Sequence, residues 1–226
     1  MIRLERLIEP RVKWMVNFMA ALVAVLMMTG LLGFGLFLGH GGGSVAFAAS
    51  VTRPIPDTGQ TIIFSDTFGE DSDYTINPPS YTKLDAQGKP LPDSATSWSM
   101  IKDNVTGLIW ENKTDDNSIH DKDNKYNWVG AFNIFIARLN DEKFGGFSDW
   151  RLPTIKELSM IVNRGACNPA INQKYFPNTV SNWYWSSTTY AHDTGYAWCV
   201  NFWPGSVGSY SKSYSYYVRA VRGGQD

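Results

Sequence analysis

The sequence predicts an α+β domain behind an export segment, and three stretches carry that prediction. Trp128, Ala131, Phe132, Phe135, Ile136 and Leu139 fall at i, i+3, i+4, i+7, i+8 and i+11, the apolar stripe of an amphipathic helix. Trp150-Arg151-Leu152-Pro153-Thr154 reads as a buried turn feeding a second helix. Pro153 biases Leu152 towards extended backbone, Thr154 is a good N-cap, and Glu157 three residues later completes a capping box. Leu158, Ile161 and Val162 give that helix its apolar face, and Asn163-Arg164-Gly165 its stop. Tyr196 to Phe202 then alternates as a strand, and Tyr217 to Arg222 reads as the strand that closes a sheet.

The remaining elements follow in chain order. Arg3, Arg6, Arg11 and Lys13 precede an apolar run from about Phe18 to Leu38, and Ala46-Phe47-Ala48 supplies a small-residue cleavage site. Residues 1–49 therefore read as a signal peptide, with an uncleaved membrane anchor as the alternative, since about 20 apolar residues span a bilayer. Membrane contact is expected only through this segment, and the rest of the chain is expected outside the cytoplasm: periplasmic, cell-surface or secreted. Residues 50–97, rich in Pro, Gly, Asp and Ser, read as an extended lead-in with short strands such as Thr61-Ile62-Ile63-Phe64. The acidic cluster Glu70, Asp71 and Asp73 lacks a full calcium ligand set. Trp98–Met100 and Leu108–Trp110, separated by Asp103-Asn104-Val105-Thr106-Gly107, form a β-hairpin pattern. Asp115 to Asn124 is a polar loop; Asp121, Asp123 and Lys125 overlap an EF-hand without its glycine or late glutamate.

Charge narrows the function. From Ser50 onward there are 16 Lys/Arg against 19 Asp/Glu, a mildly acidic balance that argues against a nucleic-acid partner. Eight of the nine tryptophans lie in the same part, so the domain packs or displays many rings. Cys167 and Cys199 are the only cysteines, and in an oxidising compartment they read as a disulfide. Closing a loop of about 30 residues would contribute roughly 3–4 kcal/mol.

Trp150-Arg151-Leu152-Pro153-Thr154 with Glu157-Leu158 resembles the Lcl C-terminal domain family, named after a collagen-like bacterial adhesin. Thr58-Gly59-Gln60-Thr61, Asn77-Pro78-Pro79-Ser80-Tyr81, Asp103 to Trp110, Tyr184-Trp185-Ser186-Ser187 and Val218 to Gly224 extend the likeness from about Arg53 to Gln225. The resemblance implies a C-type lectin-like fold, related to formylglycine-generating domains, with a twisted antiparallel sheet, two helices and long loops over residues 98–226. It implies a strand at Trp183 to Thr188; the expected structural hub is Trp110, Trp128, Trp150, Leu152 and Trp185. Such folds commonly hold a disulfide in this half, whereas the spacing of Cys167 and Cys199 does not match the catalytic, copper-binding pair of formylglycine-generating enzymes.

The stretches Thr189 to Gly195 and Pro204 to Tyr216 read as loops. Their Tyr, Ser and Gly composition suits a binding surface, because tyrosine offers rigid amphipathic area while Ser and Gly offer adaptable hydrogen bonds. The candidate ligand residues are Thr189, Tyr190, His192, Asp193, Tyr196, Trp203, Ser206, Ser209, Tyr210, Ser211, Ser213, Tyr214 and Tyr216. The expected partner is a protein or glycan on a surface. Some relatives in fold are diversified by retroelements that mutate adenines, and these loops are composed almost wholly of residues reachable from AAC and AAT codons. Lys212 and Trp203 would then be fixed positions. His120 and His192 lie in polar loops with no nucleophile or metal-ligand spacing beside them, so the sequence predicts no catalytic residue, metal or cofactor. The tripeptides of calcium-dependent sugar binding are also absent.

Overall fold

A computed structural model describes residues 54–224, so the export segment predicted at 1–49 lies outside the described residues. The fold is α+β with two sheets. Strands β1 (Tyr81–Leu84), β2 (Met100–Asp103), β3 (Ile109–Glu111) and β9 (Val221–Arg222) pair antiparallel in the order β1-β2-β3-β9. Strands β4 (Lys125–Tyr126), β5 (Trp183–Thr189), β6 (Tyr196–Asn201), β7 (Ser206–Ser211) and β8 (Tyr216–Tyr217) form the second sheet, ordered β4-β8-β5-β6-β7. One of its pairings, β5 with β8, is parallel.

The expectation of one antiparallel sheet is therefore corrected to two. Its cause lies in Tyr217 to Arg222, which reads as a single strand but pairs as two. Tyr217 completes β8 in the second sheet, Val221 begins β9 in the first, and Val218-Arg219-Ala220 crosses between them. All three crossing residues are fully buried, so no alternation of exposure marks the break.

The local elements follow from particular side chains. The β2–β3 turn is held by Asp103, whose carboxylate accepts the Val105 N–H at 2.9 Å and the Thr106 hydroxyl at 2.7 Å, as turn aspartates do. Helix α1 runs from Trp128 to Asp141 with a π-helical middle, Ala131–Ile136, and is capped by the Asn127 side chain accepting from Gly130 N–H at 2.7 Å. Its stripe faces the core: Ala131, Phe135, Ile136 and Leu139 are buried, with Trp128 and Phe132 half-buried beside them. Helix α2, Ile155–Met160, starts on the Thr154–Glu157 capping box.

The turn into α2 does more than cap it. Glu157 accepts the Thr154 N–H at 2.8 Å and both arms of Arg151, at 2.7 and 2.8 Å. Arg151 also donates to the Gly223 carbonyl, and its backbone pairs with Val221. Trp150 is fixed by Asn140 on α1, which donates to its carbonyl and accepts its N–H. One short motif thus joins α1, α2 and β9. Two apolar clusters fill the interior. Trp110, Leu158, Phe176, Tyr184, Val200 and Phe202 belong to one. Phe135, Leu139, Trp150, Leu152, Trp185 and Cys199 belong to the other.

Three further expectations need correction. Thr61-Ile62-Ile63-Phe64 is not a strand. Among the described residues it has no partner strand, and it is exposed; the backbone N–H groups of Phe64 and Ser65 donate to the Glu70 carboxylate instead. Pro204 to Tyr216 is not one loop, because Ser206–Ser211 pairs with β6 along its whole length. Cys167 and Cys199 are not bridged. Cys199 sits mid-strand in the core opposite Trp185 and Gly208, whereas Cys167 is exposed on a loop whose next residue bonds to Trp203, beyond the end of β6. Buried Cys199 and exposed Cys167 therefore sit in different surroundings, and no disulfide joins them.

Candidate ligand-binding face

Strand alternation divides the predicted ligand residues between the two sides of the second sheet. Gly208 and Tyr210 share a side with Trp183, Trp185, Ala197 and Cys199, the side that covers α1. Val207, Ser209, Ser211, Tyr196 and Trp198 face the other way. The predicted set shares one sheet but not one surface.

On the α1 side five rings form a ribbon. Tyr210 packs on Trp183 with centroids 4.6 Å apart and on Tyr216 at 5.4 Å; Tyr216 packs on Trp185 at 5.0 Å. Tyr214 ends the ribbon at 6.2 Å from Tyr216 and is 56% exposed. Tyr210 and Tyr216 are half-buried, and burial pushes the Tyr216 phenol up to about 12. These two support the face, and Tyr214 presents it.

Lys212 fixes the turn between β7 and β8. Its Nζ lies 3.9 Å from the centre of the Trp128 ring and donates to Thr189 Oγ1 at 2.9 Å, while its backbone bonds to Gly195 and Trp128. A cation over an indole face, with a hydrogen bond besides, holds a side chain firmly. Thr189 is thereby a tether rather than a free contact.

The opposite side carries Tyr190, edge-on to Trp198 at 5.2 Å and to His192 at 6.0 Å. His192, Asp193 and Tyr196 are exposed, although the Asp193 carboxylate is engaged by the Gly195 N–H at 2.9 Å. Ser211 and Ser213 hydroxyls bond each other at 2.9 Å. In the β6–β7 turn Trp203 is 60% exposed, with Ser206 exposed beside it. Trp198 and Val207 belong to this surface too; both follow from the alternation of Tyr196 and Ser209 once β7 is known to be a strand.

Sequence reasoning missed a buried polar cluster behind the sheets. Glu111, at the end of β3, is fully buried and bonds Lys113 Nζ at 3.1 Å, His120 Nδ1 at 2.8 Å and Ala220 N–H at 3.1 Å. Arg219 donates to the Glu111 carbonyl and to Thr179 Oγ1, both at 2.8 Å, with its guanidinium over Phe176. Burial alone would raise the Glu111 pKa, but Lys113, His120 and the Ala220 N–H hold it below the usual Glu range. Burial also draws the Lys113 ammonium below its usual range. The signal was a charge at Glu111 and at Arg219 inside apolar runs.

Among the described residues, Asp115, Asp121 and Asp123 could bring three carboxylates to one ion. Lys122 already joins Asp115 and Asp123, at 2.8 and 3.0 Å, and Asp121 accepts the N–H groups of Asp116, Asn117 and Asp123. The cluster is a self-satisfied loop.

The fold and this face define an α+β domain that displays aromatic side chains from the strands and turns of one sheet. The chain belongs to the Lcl C-terminal domain family, whose model matches residues 99–222. No curated protein matches it. Among the described residues, no helix is long and apolar enough to cross a membrane.

Proposed function

We propose that the chain is an exported, adhesin-like module that binds a protein or glycan ligand through residues 188–217, without catalysis, on a C-type lectin-like scaffold. The observation that carries this reading is the pairing of locked and displayed rings. Tyr210, Tyr216 and Lys212 are held by packing, and they position the exposed Tyr214 beside a sheet edge whose far turn displays Trp203. Rigid aromatic groups on a braced support lose little conformational entropy on binding. The basic, then apolar, N-terminal segment supports export.

A screen of the intact chain against glycans and matrix proteins would find the ligand. Trp203→Ala and Tyr214→Ala are each expected to weaken that binding at least tenfold, about 1.4 kcal/mol, while leaving the unfolding midpoint in place. Unchanged affinity in both variants would place the ligand elsewhere.

One observation favours diversification of this face by a retroelement. Of the residues between Ser211 and Tyr216, Lys212, which adenine mutation of AAY codons cannot produce, is the one that braces the turn through its side chain, whereas Ser213, Tyr214 and Ser215 are exposed. A near-copy of the codons for Trp185 to Arg222 downstream of the gene, with AAY at the loop positions other than Trp203 and Lys212 and a reverse transcriptase beside it, would support this reading. Its absence would leave a module of fixed specificity.

A further inference from the structure

A sheet edge exposes a row of unpaired N–H and C=O groups, and proteins usually cover or blunt it. Three of the four edges here are managed. Beside β1, Leu91 N–H bonds the Lys83 carbonyl and Leu84 bridges Pro90. Beside β9, Arg151 exchanges two backbone bonds with Val221, each of 2.9 Å. Strand β4 is only Lys125–Tyr126, and the Trp185 indole takes the Tyr126 carbonyl.

The fourth edge, β7, is different. Its six residues, Ser-Val-Gly-Ser-Tyr-Ser, include no charge and no proline, and they pair with β6 in unbroken register. Lys212 N–H bonds the Gly195 carbonyl, and Tyr196 spends its own N–H and C=O on Asp193 and Tyr190. The antiparallel alternation then turns Tyr210, Gly208 and Ser206 inward, and turns the backbone groups of Val207, Ser209 and Ser211 outward. Among the described residues, the outward groups have one backbone partner, the Tyr214 N–H on the Ser211 carbonyl.

We propose that β7 is an interface at which a second copy of this chain adds its own β7, antiparallel about a two-fold axis through Ser209. This goes beyond the ligand-binding reading and does not depend on it. The strand is complementary to itself in that register. Ser209 meets Ser209 of the second copy, and Val207 meets Ser211 of the second copy, so every outward N–H faces a carbonyl, that of Ser211 being shared with the Tyr214 N–H. On the α1 side Tyr210 meets Gly208 of the second copy, a position with no side chain of its own to oppose it. The absence of a Cβ there admits the Trp183 ring, which would lie 2.8 Å from one, and Tyr210 packs against that ring. No like charges oppose each other along the strand. The exposed Trp203 turn of each copy comes into line with the exposed Tyr214 turn of the other, which joins two ligand faces into one.

Register-specific cross-linking tests this in the full-length chain. In a Cys167→Ser background, Ser209→Cys places two thiols on directly opposed residues, about 5.5 Å apart at Cα, within the range a disulfide spans. Mild oxidation in the producing cells is expected to give a dimer of twice the chain mass from Ser209→Cys. Ser206→Cys and Ser213→Cys, exposed but out of register, should give little. Adding Val207→Asp should remove the Ser209→Cys dimer. Equal cross-linking at all three positions, none at Ser209→Cys, or capture of a different protein there would each overturn the proposal. Because no ligand is needed, that failure would leave the binding reading untouched.

Discussion

Glu111→Gln would put the buried ion cluster to the test. Gln keeps the size of the side chain and one acceptor oxygen, for the Ala220 N–H, and removes the charge together with the oxygen that accepts from Lys113. Lys113, 2% exposed, then loses its counter-ion in a place where water cannot replace it. Removing one partner of such a buried pair costs about 3–5 kcal/mol. For a domain of this size each kcal/mol moves the thermal midpoint by roughly 2–4 °C, so a fall of about 6–20 °C is expected. Urea denaturation followed by tryptophan fluorescence would give the same loss by linear extrapolation. The double variant Glu111→Gln, Lys113→Met removes the stranded charge and should recover much of the loss, since an apolar replacement of a buried pair is often neutral. A loss under about 1 kcal/mol for the single variant, or a double variant worse than the single, would refute the reasoning.

Acid should weaken the fold through Glu157 and Asp149. Burial works against the Glu157 charge, but Arg151 and the Thr154 N–H outweigh it, and Arg222 holds Asp149 down in the same way. Each folded-state pKa lies below its unfolded value, so the stabilisation is complete above about pH 4.5 and is lost as pH falls through the folded values; midpoints from pH 7 to pH 3 would show this, and Glu157→Gln should flatten the profile. Cys167 should react with a thiol reagent in the native protein and Cys199 only after unfolding, because burial pushes the Cys199 thiol well up, and a non-reducing mass should show no bond between them. Tyr216→Ala should cost about 2–4 kcal/mol through its lost packing on Trp185, whereas Tyr214→Ala should stay within about 0.5 kcal/mol in a denaturant titration.

What the sequence made legible was local. The capping box at Thr154 and Glu157, the turn at Asp103 and the stripe of α1 each depend on residues within about a dozen positions of one another, and each appears where its pattern lies. The rest depends on distant partners. Strand β7 has no apolar alternation of its own and becomes a strand because β6 offers it a ladder, so its Tyr, Ser and Gly content read as loop. Thr61 to Phe64 has strand-like residues and finds no ladder. Glu111 and Arg219 are more than a hundred residues apart in sequence, so the apolar runs around each hint at a buried charge but do not name its partner. The disulfide expectation counted cysteines, whereas the register of β6 determines where Cys199 points. In the binding face, composition identified the tyrosines, but only the sheet separates Tyr214, which is displayed, from Tyr216, which is packed.

The crossing at Val218-Arg219-Ala220 sets a timetable. Strand β9 joins β3 with Glu111 bonded to Ala220, 109 residues later, and β8 is the piece that stands between β4 and β5. A chain emerging from a ribosome in order can form the β2–β3 hairpin and α1 early, but both sheets stay open until residues 216–222 arrive. Non-local closures of this kind are slow and come late. An elongating chain is therefore left with two unfinished sheets until residues 216–222 have been made.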